Sequence, residues 1–538
     1  MMMVYDCVIV GGGMAGLTAA AYLCQAGRKV LVLEKEDKVG GLVNSFEHDG
    51  FRFDGGIRAL ENSGIIFPML RQLGIELEMV KNDVTIGIEG DILRLSSKDS
   101  LKDYERLLNK AFPGYEKDIS LICAEIGRVM GYMDVLYGID NPLFMDMTSN
   151  PRYLMDTVLP WLFKYILTMP KISRLNMPVG KYLRKFTSNQ ALIDMIAQHF
   201  FTDTPTFFAL SYFSLYLDYR YPKGGTGALS GKMAEYVLSH GGQILKGVEV
   251  ARIDPSANTV TDARGGSYGY RKLVWAADMK KLYSAADLSK IPDASARDAA
   301  SKKKAAIADK TGGDSILTLY LESSLDKAYF SAVSSPHFFY TPRKKGLKDI
   351  IEGMPKSSPA LEGKPVFSRE KKAVFDWVRR YLEFTTYEIS IPALRDPDMA
   401  PVGKTGLIIS SLMDYSLVKH ISDMGWYEEF KAFCGDIIIG ALDSSCYPRL
   451  KDGVIGSFVS TPLTLARMTG NTDGAITGWA FTNDPIPVTS ALPKVAGSVE
   501  TPIPDVLQAG QWVFSPSGLP ISILTGKLAA DKALKQLK

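Results

Sequence analysis

The hydrophobic pattern near the N-terminus predicts a strand, a helix and a second strand in succession. Residues 7–10 are a short apolar run rich in β-branched side chains, which is typical of a buried parallel strand. Residues 14–25 predict a helix that Gly27 closes, and residues 28–33 predict the second strand. Glu34 follows directly. This order of elements is typical of a βαβ unit in a parallel sheet.

The turn between the first strand and the helix has the pattern Gly11-x-Gly13-x-x-Gly16. Gly11 would make the tight turn, Gly13 would let the backbone approach a pyrophosphate, and Gly16 would let the helix pack on the strand. The helix N-terminus would face the phosphates with its unpaired N–H groups. Glu34 stands eighteen residues after Gly16, where a carboxylate is expected to accept from a ribose hydroxyl. The sequence therefore predicts a dinucleotide site.

A second glycine-rich turn follows this unit and favours FAD over NAD. Gly40-Gly41 stands six residues after Glu34, and the stretch from Phe51 to Gly56 comes next. NAD-binding domains usually continue from the acid into another helix. A glycine turn and a hairpin at this place resemble the flavoproteins that include amine oxidases and carotenoid desaturases. A simple loop turn is the alternative interpretation of Gly40-Gly41.

The other half of the same site is expected about five hundred residues later. Residues 507–512 contain Gly510, and Pro516, Gly518 and Pro520 lead into a final helix. If both segments touch one FAD, the chain must fold back on itself and the protein is a redox enzyme.

The pattern between these ends predicts a discontinuous α/β fold. Helices are expected near 66–73, through most of 104–216 and over 229–239, and strands over 243–253, 272–276, 315–321, 383–390 and 406–411. Residues 341–365 are rich in Lys, Gly, Pro and Ser and predict a mobile surface loop. We expect a Rossmann-type FAD-binding domain with an inserted mixed α+β substrate domain, as in amine oxidase-like and glutathione reductase-like flavoproteins. The FAD-binding domain would comprise 1–75, 215–290 and 455–538, and the substrate domain 76–214 and 291–454, with a mainly helical part over 104–214.

The amino-acid composition narrows the range of functions that the protein can have. The 538 residues are 46% hydrophobic and 22% charged, with a formal charge of +3, so nothing indicates nucleic-acid binding. Five Cys without a CxxC pair suit a reducing compartment, and five scattered His make a metal site unexpected. No basic stretch precedes the first apolar run, so we expect no signal peptide and a cytoplasmic location.

One apolar segment indicates a membrane surface. Residues 158–169 are strongly apolar, with Lys164, Lys171 and Arg174 close by. The segment is too short to span a bilayer, but it could lie in the headgroup region and hold the protein peripherally on a membrane. A helix that lines the core of the substrate domain is the alternative.

With these motifs together, the chain resembles the phytoene desaturase-like flavoproteins, which include phytoene desaturases, carotenoid isomerases and retinol saturases. The resemblance covers the N-terminal motif through Gly56, the Tyr-Pro-Lys-Gly-Gly loop at 221–225 through Val250, the stretch 391–403 (Ile-Pro-Ala-Leu-Arg-Asp-Pro to Ala-Pro-Val-Gly) and residues 510–526. The chain departs from many relatives at Gln511, where an acid is common, and at Gly56-Ile57, where desaturases often have Gly-Pro.

The resemblance implies an FAD-dependent oxidoreductase that desaturates, saturates or isomerises a long isoprenoid or carotenoid-like lipid, with an unknown electron partner. The cofactor residues that it implies are Gly11, Gly12, Gly13, Met14, Ala15, Gly16, Glu34, Lys35, Gly40, Gly41, Gly55, Gly56, Ile57, Arg58, Val250, Gly510, Gln511, Gly518, Leu519, Pro520 and Ile521. Arg58, beside the expected flavin face, is the candidate catalytic residue, and a structural ion pair is its alternative role. The competing functions are a flavin amine oxidase and a non-catalytic FAD-binding scaffold for a prenyl lipid.

Overall fold

The computed structural model describes residues 3–145, 151–361 and 364–538, without the side chains of 151 and 357–365. Its strands are β1 (Val4–Val10), β2 (Val30–Glu34), β3 (Ser45–His48), β4 (Phe51–Asp54), β5 (Met79–Lys81), β6 (Val84–Ile88), β7 (Asp91–Leu95), β8 (Arg220–Pro222), β9 (Gln243–Lys246), β10 (Val250–Asp254), β11 (Thr259–Asp262), β12 (Ser267–Trp275), β13 (Ser315–Ser323), β14 (His337–Thr341), β15 (Lys356–Leu361), β16 (Lys364–Phe367), β17 (Tyr387–Ser390), β18 (Thr405–Met413), β19 (Val454–Ser460) and β20 (Val506–Gln508).

The helices are α1 (Met14–Gln25), α2 (Ile66–Leu73), α3 (Ser100–Ala111), α4 (Glu116–Leu136), α5 (Pro151–Tyr153), α6 (Leu159–Ser173), α7 (Val179–Leu183), α8 (Gln190–Ala197), α9 (Thr206–Asp218), α10 (Gly227–Ser239), α11 (Met279–Ala285), α12 (Ala294–Ala308), α13 (Lys327–Val333), α14 (Lys348–Glu352), α15 (Lys371–Phe384), α16 (Tyr415–Asp423), α17 (Tyr427–Asp443), α18 (Leu450–Gly453), α19 (Pro462–Thr469) and α20 (Leu519–Gln536). A π-helical turn, Leu154–Val158, joins α5 to α6.

The first sheet joins distant parts of the chain. Its order is β10-β11-β12-β1-β2-β9, and β20 pairs with β12. The pairs β10–β11 and β11–β12 are antiparallel, and all other pairs of this sheet are parallel. Both faces are covered by helices, which explains why β1 and β2 are almost continuously apolar and buried. On one face α1 packs against α10 and α20, and on the other lie α11 and α12.

The second sheet has the order β19-β13-β18-β17-β14-β6-β7 and is antiparallel except for the pair β14–β6. Alternate residues point to opposite faces. Leu317, Leu319 and Ile409 pack with α15 and α17 in one apolar core. Residues of the opposite face, such as Phe339 and Leu412, line an internal cavity. The sheet therefore forms one wall of that cavity.

The expected helical part is present. Helices α3, α4, α7, α8 and α9 share one apolar core, and α6 packs beside α4. Residues 146–150, within this part, lie outside the described residues. In the part of the chain that the structure covers, no helix is both long enough and apolar enough to cross a membrane.

Three expected elements differ from the structure. The single strand expected over 243–253 is two strands, because Gly247 adopts φ +68° and turns the chain between them. The first two residues of the strand expected over 383–390 belong to α15, whose apolar side chains recur at helical spacing. The segment expected as a loop, 341–365, contains α14 and the paired strands β15 and β16. Its residues 362 and 363 lie outside the described residues.

Candidate cofactor and substrate site

One large cavity of about 1550 Å³ joins the two ends of the chain. It is lined by residues from the N-terminal motif, the C-terminal segment, the second sheet and the helical part. Of the expected cofactor residues, these lie on its wall: Gly11, Gly13, Met14, Ala15, Glu34, Lys35, Gly40, Gly41, Gly55, Gly56, Ile57, Arg58, Val250, Gly510, Gln511, Gly518, Leu519, Pro520 and Ile521. Gly12 and Gly16 are not among the residues that line it. The two distant motifs therefore meet at one site.

The glycines of the first turn have different surroundings. A Cβ atom on Gly13 would meet no atom within 4 Å, so the space beside it is open. A Cβ on Gly16 would overlap the carbonyl oxygen of Gly11, so this position brings α1 close to the turn. No side chain caps the N-terminus of α1 at Gly13. The open space at Gly13 and the uncapped helix end together form a cradle for an anionic group.

Glu34 is held at the edge of this cradle by the backbone. Its Oε2 accepts a hydrogen bond from the Gly12 N–H at 2.6 Å, and its Oε1 accepts from the Glu36 N–H at 2.9 Å. Burial raises the pKa of the Glu34 carboxyl, and the two backbone N–H groups oppose this shift. Each carboxylate oxygen can accept a second hydrogen bond, so Glu34 can also bind a hydroxyl group in the cavity. Gly12 thus contributes to the site by donating a hydrogen bond to Glu34, and it does not line the cavity itself.

The C-terminal segment supplies a second uncapped helix end. Gly510 has φ +103°, a conformation that favours glycine, and its N–H donates to the Thr525 hydroxyl of α20 at 2.9 Å. Helix α20 begins after Gly518, and no side chain caps it. The side-chain amide of Gln511 donates to the Ala475 carbonyl at 3.4 Å. The N-termini of α1 and α20 therefore border the same cavity.

These features fit FAD. Two uncapped helix N-termini present positive dipole ends, which suit the pyrophosphate and the electron-rich edge of a flavin ring. Glu34 suits a ribose hydroxyl. The cavity volume is above the roughly 300–1,000 Å³ of a typical small-ligand pocket, so a second, substrate-sized molecule can share it.

The motifs that carry the family resemblance contact one another beside the cavity. The Asp54 carboxylate of β4 accepts hydrogen bonds from the Tyr221 hydroxyl at 2.7 Å, the Thr226 N–H at 2.7 Å and the Ser45 hydroxyl at 2.9 Å. This buried carboxylate ties the hairpin β3–β4 to the glycine loop after β8. The hydroxyl of Tyr221 is therefore a structural donor.

Residues 391–403 contribute further contacts to the same hydrogen-bond network. The Arg395 guanidinium lies 3.7 Å from the centre of the Tyr221 ring and donates to the Arg58 carbonyl at 3.0 Å. The Asp396 carboxylate accepts from the Gly224 N–H at 2.8 Å. These contacts fix the backbone around Arg58 from two sides.

Arg58 is 3% exposed and lines the cavity. Its guanidinium donates to the carbonyls of Asp54 and Gly56 and to the Ser410 hydroxyl at 3.1 Å. Arg58 therefore connects the turn after β4 to the second sheet at the cavity wall.

The rest of the cavity is a mainly apolar chamber. Its aromatic wall follows α9, where Tyr212, Tyr216 and Tyr219 pack ring against ring at centroid distances of 5.6 Å. Tyr216 also packs on Phe339 of the second sheet at 4.9 Å. A chamber of this kind suits a long apolar molecule.

Two carboxyl groups interrupt the apolar lining. Glu388 lies opposite Ser410 in the pairing of β17 with β18, and its Oε1 is 3.0 Å from the His337 Nε2. Burial would raise the pKa of Glu388, but His337 and the charges of Arg58 and Arg395 lower it overall. Burial lowers the pKa of His337, so its ring is neutral at pH 7. Glu388 is therefore a carboxylate.

Glu61 is the other carboxyl beside the apolar chamber, and it has no cation within ion-pair distance among the described residues. Burial raises its pKa to about 7, and the nearby Asp218 adds to the shift. Sequence patterns did not reveal Glu61, Glu388 or His337, because each is an isolated polar residue whose neighbours come from distant elements.

Helix α6 borders the chamber from the outside. Trp161, Tyr165 and Met169 line the cavity, whereas Phe163 and Leu167 are 67% and 55% exposed. The segment 158–169 thus contributes both to the cavity wall and to the exposed surface.

Comparisons with known proteins agree with this architecture. Residues 9–73 match the family model of the NAD(P)-binding Rossmann-like domain. The chain is 24% identical over 496 residues to prolycopene isomerase 2 of an Oncidium hybrid cultivar, covering 87% of this chain and 74% of the relative. It is 24% identical over 538 residues to an all-trans-retinol 13,14-reductase of Danio rerio, covering 94% and 82%. A carotenoid 3,4-desaturase of Haloarcula japonica is 53% identical over 51 residues, 10% of each chain.

Solved structures share the fold. A putrescine oxidase variant superposes with a TM-score of 0.61 at 14% identity, covering 99% of both chains. Reduced UDP-galactopyranose mutase superposes with a TM-score of 0.59 at 14% identity, covering 99% of this chain and 95% of the other. Fold and site together define a protein with a Rossmann-like domain, a second sheet domain and a cavity whose lining fits FAD. Within that class, the chain is similar to the carotenoid- and retinol-related relatives of the phytoene desaturase-like group.

Proposed function

We propose that this protein is an FAD-dependent oxidoreductase that acts on the C=C or C–H bonds of a long apolar isoprenoid or carotenoid-like lipid. The observation that carries the proposal is the single cavity, which runs from the dinucleotide cradle into an aromatic, mainly apolar chamber. The relatives named for prolycopene, retinol and carotenoid chemistry support this substrate class. The reaction would be a desaturation, a saturation or an isomerisation.

The cofactor residues follow from this proposal. Glu34 would bind a ribose hydroxyl, and the backbone at Gly13 and Gly518 would receive the pyrophosphate and the flavin edge. Bound FAD would accept or donate a hydride at N5. The other expected cofactor residues on the cavity wall would complete the contacts. We also keep the proposed division into an FAD-binding domain (1–75, 215–290 and 455–538) and a substrate domain (76–214 and 291–454).

The protein would hold the lipid against the ring and keep water out. The α9 tyrosines and Phe339 give the chain of the lipid an aromatic surface on which to pack. Arg58 holds the turn after β4 against Ser410, and we propose that its guanidinium also contributes positive charge beside the flavin.

Access to the chamber is proposed to lie at a membrane surface. The exposed face of α6 carries Phe163 and Leu167, with Lys164 and Lys171 exposed beside them. Apolar side chains flanked by lysine are the pattern of a helix that lies in the headgroup region. A lipid substrate could then pass from the bilayer to the chamber along α6 without crossing water.

The membrane contact can be measured with vesicles. The protein should sediment with vesicles of phosphatidylglycerol and phosphatidylcholine, and Phe163→Asp combined with Leu167→Asp should abolish sedimentation. The matched control is Leu238→Asp, an exposed apolar position on α10 that is 55% exposed. Equal sedimentation of the double variant and the control would contradict the proposal.

The oxidoreductase activity has a direct test. The FAD-loaded protein is mixed anaerobically, in oxidised and in photoreduced form, with prolycopene, all-trans-retinol or putrescine, and the flavin spectrum is followed with mass analysis of the product. We expect an isoprenoid, and not the amine, to change the flavin or to be isomerised. A response to putrescine alone would indicate an amine oxidase, and photoreducible flavin that ignores every isoprenoid would indicate a scaffold.

A further inference from the structure

A reaction of this class needs a proton donor or acceptor beside the hydride site. Glu61 lies three residues after Arg58, on the segment that leads from the expected flavin face to α2. Its backbone position is fixed, because Leu60 exchanges two backbone hydrogen bonds with Arg220, each of 2.9 Å. The Asn62 side chain accepts from the Phe67 N–H at the start of α2. Glu61 therefore stands between two anchored neighbours.

The surroundings of the Glu61 carboxyl are aromatic and acidic. Burial and the charge of Glu61 both raise the pKa of Tyr137, directly after α4, of Tyr212 on α9, and of Tyr219, directly after α9. Asp218, at the end of α9, adds negative charge. Charges of the same sign and apolar rings favour the protonated form of Glu61.

Glu388 offers a contrast within the same cavity. It lies beside His337 and near two buried arginines, so its negative charge is compensated. An ionised and compensated carboxylate is a poor proton donor. Glu61 lacks such compensation among the described residues, and it faces the chamber in which the lipid would lie.

We propose that Glu61 is the residue that exchanges a proton with the substrate. This rests on the proposed function. In a saturation, a hydride supplied by bound reduced flavin would form a C–H bond at one carbon as the π bond breaks, and the Glu61 carboxyl would give its proton to the adjacent carbon. In a desaturation, bound oxidised flavin would take a hydride from one carbon, and the Glu61 carboxylate would take a proton from the adjacent carbon as the C=C bond forms. Water at the cavity mouth would restore the starting protonation state.

The first measurement needs no substrate. FAD-loaded protein labelled with ¹³C-glutamate is titrated by infrared difference spectroscopy from pH 5 to pH 9, for the wild type and for Glu61→Gln. We expect a protonated carboxyl band that disappears as the pH passes about 7 and is absent from the variant. A Glu61 carboxyl that is already ionised above pH 5.5 would overturn the proposal.

The second measurement uses turnover of prolycopene and all-trans-retinol in D₂O. Glu61→Gln should slow turnover about 100- to 10,000-fold, as loss of a general acid–base does, and lower deuterium incorporation at the carbon that exchanges a proton. Glu61→Asp should recover part of the rate with a shifted pH profile. Anaerobic photoreduction of the flavin should be unchanged in both variants. The control is Glu235→Gln, an exposed carboxyl on α10.

The outcomes separate two kinds of failure. Turnover of Glu61→Gln within threefold of the wild type, with the same pH profile, would refute the role of Glu61 and leave the proposed function standing. If neither lipid reacts with the wild type, the proposed function fails, and the infrared titration alone decides whether the chamber holds a protonated carboxyl.

Discussion

Substitution of Gly13 by alanine separates cofactor binding from folding. Gly13 has φ −73° and ψ 178°, which alanine adopts without strain, and its Cβ would meet no protein atom within 4 Å. A Gly→Ala change at a compatible position stabilises a protein by about 0.4–1 kcal/mol, because the unfolded chain loses freedom. Gly13→Ala without cofactor should therefore unfold at the same denaturant concentration as the wild type, or slightly above it.

The cofactor-bound state should respond in the opposite direction. If the pyrophosphate approaches Gly13, the added methyl group overlaps it, and overpacking typically costs about 1–3 kcal/mol. Since about 1.4 kcal/mol is a tenfold change, the Kd for FAD should rise roughly 5- to 150-fold. Quenching of FAD fluorescence on titration with apoprotein measures the Kd, and urea denaturation measures stability.

Gly16→Ala is the matched comparison. Its Cβ would overlap the carbonyl oxygen of Gly11, so this variant should lose stability in the apoprotein as well. Our account of the cradle would be refuted if Gly13→Ala bound FAD within twofold of the wild type. It would also be refuted if Gly13→Ala unfolded as readily as Gly16→Ala.

Three further changes test other parts of the site. Glu34→Gln should raise the Kd for FAD about 10- to 150-fold, because a charge-assisted hydrogen bond of about 1.5–3 kcal/mol is lost; fluorescence titration measures it, and an unchanged Kd would exclude Glu34 from the site. Tyr221→Phe should destabilise the protein by about 1–3 kcal/mol in urea, since it removes a donor to the buried Asp54 carboxylate; a change below 0.5 kcal/mol would contradict that role. The pKa of Glu61 is raised in the folded protein from 4.5 to about 7, so the native state binds more protons than the unfolded state between these pH values. The free energy of unfolding therefore falls by on the order of 3 kcal/mol as the pH rises through this range. Glu61→Gln should therefore be more stable than the wild type at pH 8 and lose this advantage near pH 4.5; parallel stability curves from pH 4.5 to 8 would show that the carboxyl titrates normally.

Local sequence signals were sufficient to predict helices whose ends are set by residues that are close in the sequence. The bounds of α1 and α2 agree with the hydrophobic pattern, and Gly27 and Gly74 end these helices in left-handed conformations. The prediction of a single strand over 243–253 was wrong, because a single positive φ at Gly247 does not interrupt the apolar pattern. Propensity cannot show which glycine in a strand-like run turns the chain.

The chamber could not be predicted in the same way, because its contacts are non-local. The Ser410 hydroxyl reaches Arg58 across 352 positions of the sequence, and Arg395 reaches Asn82 across 313. Nothing near Glu61 in the sequence indicates that it shares the cavity wall with Tyr137 and Tyr212. Family resemblance indicated which end of the cavity would hold the cofactor but did not indicate a residue for proton transfer.

The placement of β20 and α20 has a consequence for biosynthesis. Strand β20 joins the first sheet beside β12, and Gly526 of α20 lies against the Ala15 carbonyl of α1. Translation at about 5–20 residues per second therefore separates the synthesis of the two halves of the proposed flavin pocket by roughly 25 to 100 s. During that interval the nascent βαβ unit lacks the segment with which it pairs, so tight binding of the proposed nucleotide must await the emergence of α20 from the ribosome.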